Sequence, residues 1–383
     1  MLFLCFNTVF YLSSAAYNPF LSAHYASLGI NTFRIGILIS LGPLCSLFIV
    51  PIWSMLSDKS GNRTGVLKIA TAGSMVTVLL FLFFKSFWTL FFVALLFLAF
   101  YTALIPLSDA ITVSHLEKTD FKFSFVRMGG TVGFCVFSFF SGRIVALDGN
   151  FAFLMASFFL AILLILIFKM PKTEVKNREK VKIDFKRVFK NKTLIFILFM
   201  ACVTQIALSC CGGFIGVFLR EMGYGSKEIG MTMIVGSMSE IPVLLILDRI
   251  LARVGAAPVL LFSGFVTALR TFLMAGADNL PSVLIAQIFH GMSYMAVYYS
   301  CVTFINNQME DDLKSTGQSL LVFFQGGVGS ILGNILGGYI ADRIGMKSTY
   351  MIYGTLVLSV TVVSTLVILF MIIIKKRAKN RVS

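Results

Sequence analysis

The sequence predicts an all-α polytopic membrane protein, with twelve transmembrane helices arranged in two pseudo-symmetric six-helix bundles. Composition is the first reason: of 383 residues, 58% are apolar and 13% charged, and the mean hydropathy is +0.91. A soluble domain carries about a quarter charged residues, so this chain lacks the polar side chains to clothe a water-facing surface. Second, apolar runs near the ~20 residues needed to cross hydrocarbon recur twelve times. Third, a basic stretch from Lys169 to Lys192 leaves six of those runs on either side. Soluble enzymes, nucleic-acid binders, disulfide scaffolds and disordered chains are all poor fits to such a composition.

The runs follow in order, each read between polar breaks. Leu2–His24 has no basic leader and no small-residue cleavage site before a soluble domain, so it reads as a retained first span. Phe33–Leu56 ends in the loop Ser57-Asp58-Lys59-Ser60-Gly61-Asn62-Arg63. Ile69–Phe84 is the third and Trp88–Thr112 the fourth, with Asp109 near its end. The fifth, Phe125–Val145, carries Arg127 and the cluster Gly129-Gly130-Thr131-Val132-Gly133, and Phe151–Phe168 is the sixth. Beyond the basic stretch come Thr193–Leu219, Glu228–Leu251 with Glu240, Val259–Ala277 with Arg270, and Ser282–Gln308 with His290. Thr316–Ala341 carries Gly326-Gly327-Val328-Gly329, and Ser348–Ile374 is the last. Glycines let helix backbones approach closely in lipid, so clusters six spans apart suggest a duplication whose equivalent helices pack tightly in each half. The expected organisation is a six-helix bundle at 1–168, a basic cytoplasmic linker at 169–192, a second bundle at 193–374 and a basic tail at 375–383.

The net charge of +15 is concentrated where apolar runs stop, as topology-setting charges are at a cytoplasmic face. With the N-terminus inside, Lys59, Arg63, Lys68, Lys118, Lys122, Arg249, Arg253, Lys314 and both basic clusters share the cytoplasmic side. Only Arg34, Lys85, Arg143, Arg220, Lys227, Arg343 and Lys347 lie opposite. The expected location is therefore a cell membrane, the inner membrane of a bacterium, with both termini cytoplasmic and no nucleic-acid partner. The seven cysteines all lie in apolar segments at no zinc-like spacing, and His24, His115 and His290 are the only imidazoles. No metal, no cofactor and no enzymatic centre is expected.

Ionisable groups inside spans cost a few kcal/mol each and usually face an internal cavity. Glu240 lies about 11 residues from either end of its run, roughly 16 Å deep at 1.5 Å per residue. Arg270 and His290 lie roughly 10–12 Å in from their nearer ends. Glu240 and Arg270 read either as a solute-and-proton site or as a buried pair that holds helices together. Asp109 and Arg127, near the ends of neighbouring spans, face either inward or, by snorkelling, the water. If a solute competes for Arg270, Glu240 loses its counter-ion and takes up a proton; His290 is the second candidate carrier. The amides Asn7, Asn18, Gln205, Gln287 and Gln325 either bridge helices or contact the solute.

Several stretches resemble the major facilitator superfamily. The loop Asp58-Lys59-Ser60-Gly61-Asn62-Arg63 is similar to its gating motif, in which Asp58 and Arg63 would serve, although the final basic run is weaker. Ala16-Tyr17-Asn18-Pro19-Phe20, Pro106-Leu107-Ser108-Asp109-Ala110, Phe125-Val126-Arg127-Met128-Gly129-Gly130, Glu240, Thr267-Ala268-Leu269-Arg270 and Phe289-His290-Gly291 resemble the branch of lactose and phenylpropionate permeases, which are proton symporters. The resemblance implies solute contacts at Asp109, Arg127, Phe134, Arg270, Tyr17 and Asn18, and proton coupling at Glu240 and His290. Phe134 stands where the lactose permease has a sugar-stacking tryptophan. Ser293 replaces its proton-carrying glutamate.

The expectation is a monomeric secondary transporter that moves a small organic solute, an aromatic or other monocarboxylate, by alternating access in symport with protons. Sugar or nucleoside symport, uncoupled facilitation and a non-transporting membrane sensor of the same fold are the alternatives.

Overall fold

The computed structural model describes residues 1–116, 123–171 and 191–382. Most of the basic linker, with Lys118 and Lys122, lies outside the described residues. Within them the chain is helical and holds no strand. Among the described residues, eleven helices are long and apolar enough to cross a membrane, from Thr32–Ser60 to Met346–Met371. The first expected span is the one missing from that set, because it is built in two pieces: Leu2–Tyr17, a 3₁₀ turn at Asn18–Phe20, and Leu21–Ser27. Pro19 has no N–H to offer an α-helical ladder, which tightens the turn there. The backbone stays in right-handed helical space on both sides of it, so the pieces make one twelfth crossing.

Short connections follow ordinary cap chemistry. The second span ends at Gly61, whose φ of 64° is the left-handed cap that glycine adopts without strain. Its neighbour Asn62 at once starts the third span, Oδ1 accepting from the Gly65 N–H at 2.8 Å. Asn31, Ser86 and Asn279 start other spans in the same way.

The residues fall into two compact units. The first holds the first six spans together with Gly212–Met238 and Asn334–Arg343; the second holds the seventh span up to Cys211, Ser239–Gly333, and the chain from Ile344 onward. In the first unit the fifth span packs on the first, and the glycine cluster is the reason. A Cβ at Gly130 would stand 2.3 Å from Asn7 Oδ1 and 2.4 Å from the Tyr11 ring, and one at Gly133 would stand 3.2 Å from the Thr8 carbonyl oxygen. In the second unit the eleventh span packs on the seventh, the same pair six spans later. A Cβ at Gly329 would meet the Cys202 carbonyl oxygen at 2.9 Å, and one at Gly333 the Ile206 carbonyl oxygen at 2.3 Å. The glycines in contact are these two, one turn apart, whereas Gly326 of the predicted cluster faces open space. Just before them, Val322–Gly329 widens into a π-helix.

Two further backbone crossings belong to the first unit. Gly36 of the second span meets Gly338 of the eleventh, each a Cα 3.2–3.3 Å from the other's Cβ position. Gly142 of the fifth meets Gly230 of the eighth in the same way at 3.2 Å. Beside the first crossing, Asp342 accepts from Asn31 Nδ2 at 3.1 Å and from the Thr32 N–H at 3.2 Å. A carboxylate from one helix thus completes the N-terminus of another, where the helix dipole favours negative charge.

The two glycine environments on the eleventh span separate cleanly in an unfolding experiment. Gly333→Val, driven against the fixed backbone of Ile206, is expected to cost about 1–3 kcal/mol, as overpacking does. Gly326→Ala, with nothing within 4 Å of the new methyl, is expected to leave the thermal midpoint of the purified protein unchanged.

Candidate functional site

Glu240 lies about midway along the helix Ser226–Val254, and its partner is fixed by a glycine on another span. The tenth span is built as Leu280–Ile288 followed by His290–Gln308, with a break at Phe289. Immediately after the break, the Gly291 N–H donates to Ser239 Oγ at 2.8 Å. A Cβ on Gly291 would lie 2.2 Å from the Ser239 carbonyl oxygen and 2.8 Å from the Glu240 Cα. Only glycine lets the two backbones come this close, and the approach sets His290 Nε2 at 3.2 Å from Glu240 Oε1. The imidazole stacks on Tyr294, rings 5.6 Å apart and within 9° of parallel. Its Nδ1 is buried without a hydrogen-bond partner.

Arg270 is 2% exposed, on the ninth span. Its Nη2 donates to Gln287 Oε1 at 3.0 Å, and Gln287 is itself buried. Nε and Nη1 have no acceptor. The sequence reading paired Glu240 with Arg270; the structure instead gives Glu240 to His290 and Arg270 to a neutral amide. The physical reason lies in the tenth span, where Gln287 stands one turn before His290 on the same face and takes the guanidinium. Arg270 remains within electrostatic reach of His290. Ser293 is buried and donates to the His290 carbonyl oxygen at 2.9 Å, a helix-internal bond.

In the first unit, Arg127 Nη2 donates to Asp109 Oδ2 at 2.8 Å, tying the fourth and fifth spans together. The arginine side chain is 46% exposed, so the pair meets solvent on one side. Tyr17 is buried in an aromatic cluster, edge-on to Phe97 at 5.2 Å and to Tyr101 at 5.4 Å. Asn18 is exposed in its 3₁₀ turn, and Phe134 is half-buried on the fifth span. Asp58 and Arg63 bridge the Gly61–Asn62 turn at 3.0 Å. Among the described residues no cluster of three or more His, Cys, Asp or Glu side chains offers a metal site.

Sequence reasoning named Gly291 only within a resembling stretch, passed over Ser239 and took Gln287 only as one amide among several. The dipeptide His290-Gly291 inside an apolar run was the available signal. Gly291→Ala is expected to push the tenth backbone away from Ser239 and lengthen the His290–Glu240 contact. A thermal midpoint lower by several degrees, the equivalent of about 1–3 kcal/mol, checks the overpacking.

The sequence profile of the MFS_1 like family matches residues 2–352. The uncharacterised transporter YwbF of Bacillus subtilis (strain 168) is 24% identical over 325 residues, 84% of this chain and 82% of the relative. The maltose permease of Geobacillus stearothermophilus is 21% identical over 344 residues, 88% of this chain and 85% of the permease. Among solved structures, the nucleoside transporter NupG superposes with a TM-score of 0.82 at 17% identity, covering 94% of this chain and 97% of that one.

Proposed function

Because the chain belongs to the MFS_1 like family of major facilitator transporters, we propose that it carries a small organic solute across the membrane by alternating access and takes up a proton with it. The protein is a multi-pass membrane transporter; the solute and the coupling are the proposal. The observation that carries it is the Glu240–His290 pair, 3.2 Å apart inside two membrane-spanning helices. A carboxylate and an imidazole in contact share one proton readily. That proton, taken up with the solute, brings the pair of carboxylate and neutral imidazole from a net charge of −1 to zero. Glu240 is the first proton carrier in this reading and His290 the second. Ser293, bound to its own helix backbone, takes no part.

Asp109, Arg127, Phe134, Tyr17 and Asn18 are the proposed solute contacts of the first unit and Arg270 that of the second, with Asp58 and Arg63 as the gate. Arg270 favours a monocarboxylate: Nη2 gives one hydrogen to Gln287, so its second hydrogen and that of Nε or Nη1, neither of which has an acceptor, leave one fork open, and a carboxylate matches such a fork by two parallel hydrogen bonds. The transporter is proposed to act as a monomer in a bacterial inner membrane with both termini cytoplasmic.

A neutral, hydroxyl-rich solute is the second reading. It is supported by the names of the maltose permease and the nucleoside transporter, and by Gln205. That amide donates from Nε2 to Ser209 and Ser330 at 3.0 and 3.1 Å while its Oε1 stays buried without a partner. Binding of carboxylates against sugars and nucleosides to the purified protein separates the two readings, and solute counterflow in reconstituted vesicles distinguishes a transporter from a sensor.

The coupling has its own test. Glu240→Gln is expected to abolish the dependence of uptake on an imposed pH gradient while solute counterflow persists. Uptake by that variant that still follows the gradient rules Glu240 out as the proton carrier.

A further inference from the structure

We propose that Gln287 sets the charge selectivity of the transporter: it holds Arg270 in place without neutralising it, so the fork that the guanidinium keeps open takes a planar oxyanion. The inference rests on the monocarboxylate reading above and names the residue behind it.

A fully buried guanidinium is costly unless an anion accompanies it. Among the described residues no carboxylate lies within salt-bridge distance of Arg270, and its one hydrogen-bonding partner is the Gln287 amide oxygen at 3.0 Å. The thiol of Cys211 and the phenol of Tyr350 lie within its electrostatic reach, and neither is a carboxylate. Arg270 and Gln287 are 2% and 4% exposed, so bulk water does little to screen the guanidinium. The amide dipole orients the guanidinium and offsets part of its charge, and Nε and Nη1 still lack acceptors. A glutamate differs from glutamine at this position by one atom. It would convert the contact into a closed ion pair and leave nothing for a solute anion to do.

Charge counting ties this residue to proton uptake. With one proton on the Glu240–His290 pair beyond that needed for a neutral imidazole, Glu240, His290 and Arg270 together carry one net positive charge. A bound monoanion returns the cluster to neutrality. The proton and the anion therefore load together, because either alone leaves an unbalanced charge away from water. Gln287 is a positioning residue in this scheme, and its being uncharged keeps the count correct.

The test uses the full-length purified protein and measures thermal midpoints with acetate, benzoate and 3-phenylpropionate against the corresponding amides, which match them in shape and lack the charge. The wild type is expected to be stabilised by at least one acid and less by its amide. Gln287→Glu is expected to weaken acid binding at least tenfold and to remove or reverse that order. Gln287→Met, neutral but unable to accept from the guanidinium, is expected to weaken acid binding less than Gln287→Glu does and to keep the order even if the protein is less stable. A folded Gln287→Glu protein that retains the acid-over-amide preference overturns the proposal, as does a Gln287→Met protein that loses it. A wild type that is stabilised by none of the acids, or no more by acid than by amide, also overturns it. These shifts are read at equilibrium without a gradient, so they fail or succeed independently of pH-driven uptake and of counterflow, on which the transport reading stands.

Discussion

A charge inside a membrane-spanning helix has to be balanced by another side chain, by water or by a solute, because lipid balances nothing. That constraint orders the ionisable groups of this chain. Asp109 and Arg127 balance one another at 2.8 Å with solvent at hand. Glu240 is balanced by His290, whose own charge depends on a proton. Arg270 is balanced by an amide, which is to say incompletely. The three solutions differ in what they leave open: the first meets solvent, the second leaves the His290 Nδ1 without a partner, and the third leaves two guanidinium nitrogens without acceptors.

Helix assembly rests on a different economy. Apolar side chains gain little by leaving lipid for a protein interior, so the helices are held by close backbone approach. Gly130 and Gly133 seat the first span on the fifth, and Gly329 and Gly333 seat the seventh on the eleventh. Gly291 applies the same device locally, and the chemistry of the Glu240–His290 pair follows from it. Helix packing and ion pairing therefore share a mechanism at that point, since the glycine that allows the helices to touch also chooses the partner of the carboxylate.

Span number and order were legible in the sequence, because hydropathy over twenty residues is a strong signal and little competes with it. The glycine clusters were legible as packing sites, though the contact on the eleventh span fell on Gly329 and Gly333 and not on Gly326. The division of the first span at Asn18–Phe20 was marked by Pro19, yet a proline alone does not distinguish a kink from a tight turn that keeps its axis. The ion pairs were the least legible. Which of Arg270 and His290 meets Glu240 depends on the rotation of the ninth and tenth helices about their axes. That rotation is fixed by contacts such as Gly291 with Ser239, which join residues far apart in the chain. Deep position singled out the candidate residues, and tertiary packing assigned their partners.

The start of the second span shows how such long-range assignments reach back to the birth of the chain. Asn31 supplies a local acceptor to the Arg34 N–H, whereas the Thr32 N–H is satisfied by Asp342, 310 residues further on. During synthesis the amino-terminal half enters the bilayer long before that carboxylate exists. The nascent helix must therefore hold this end open to water until the eleventh span has been made, and that later helix is what seals it.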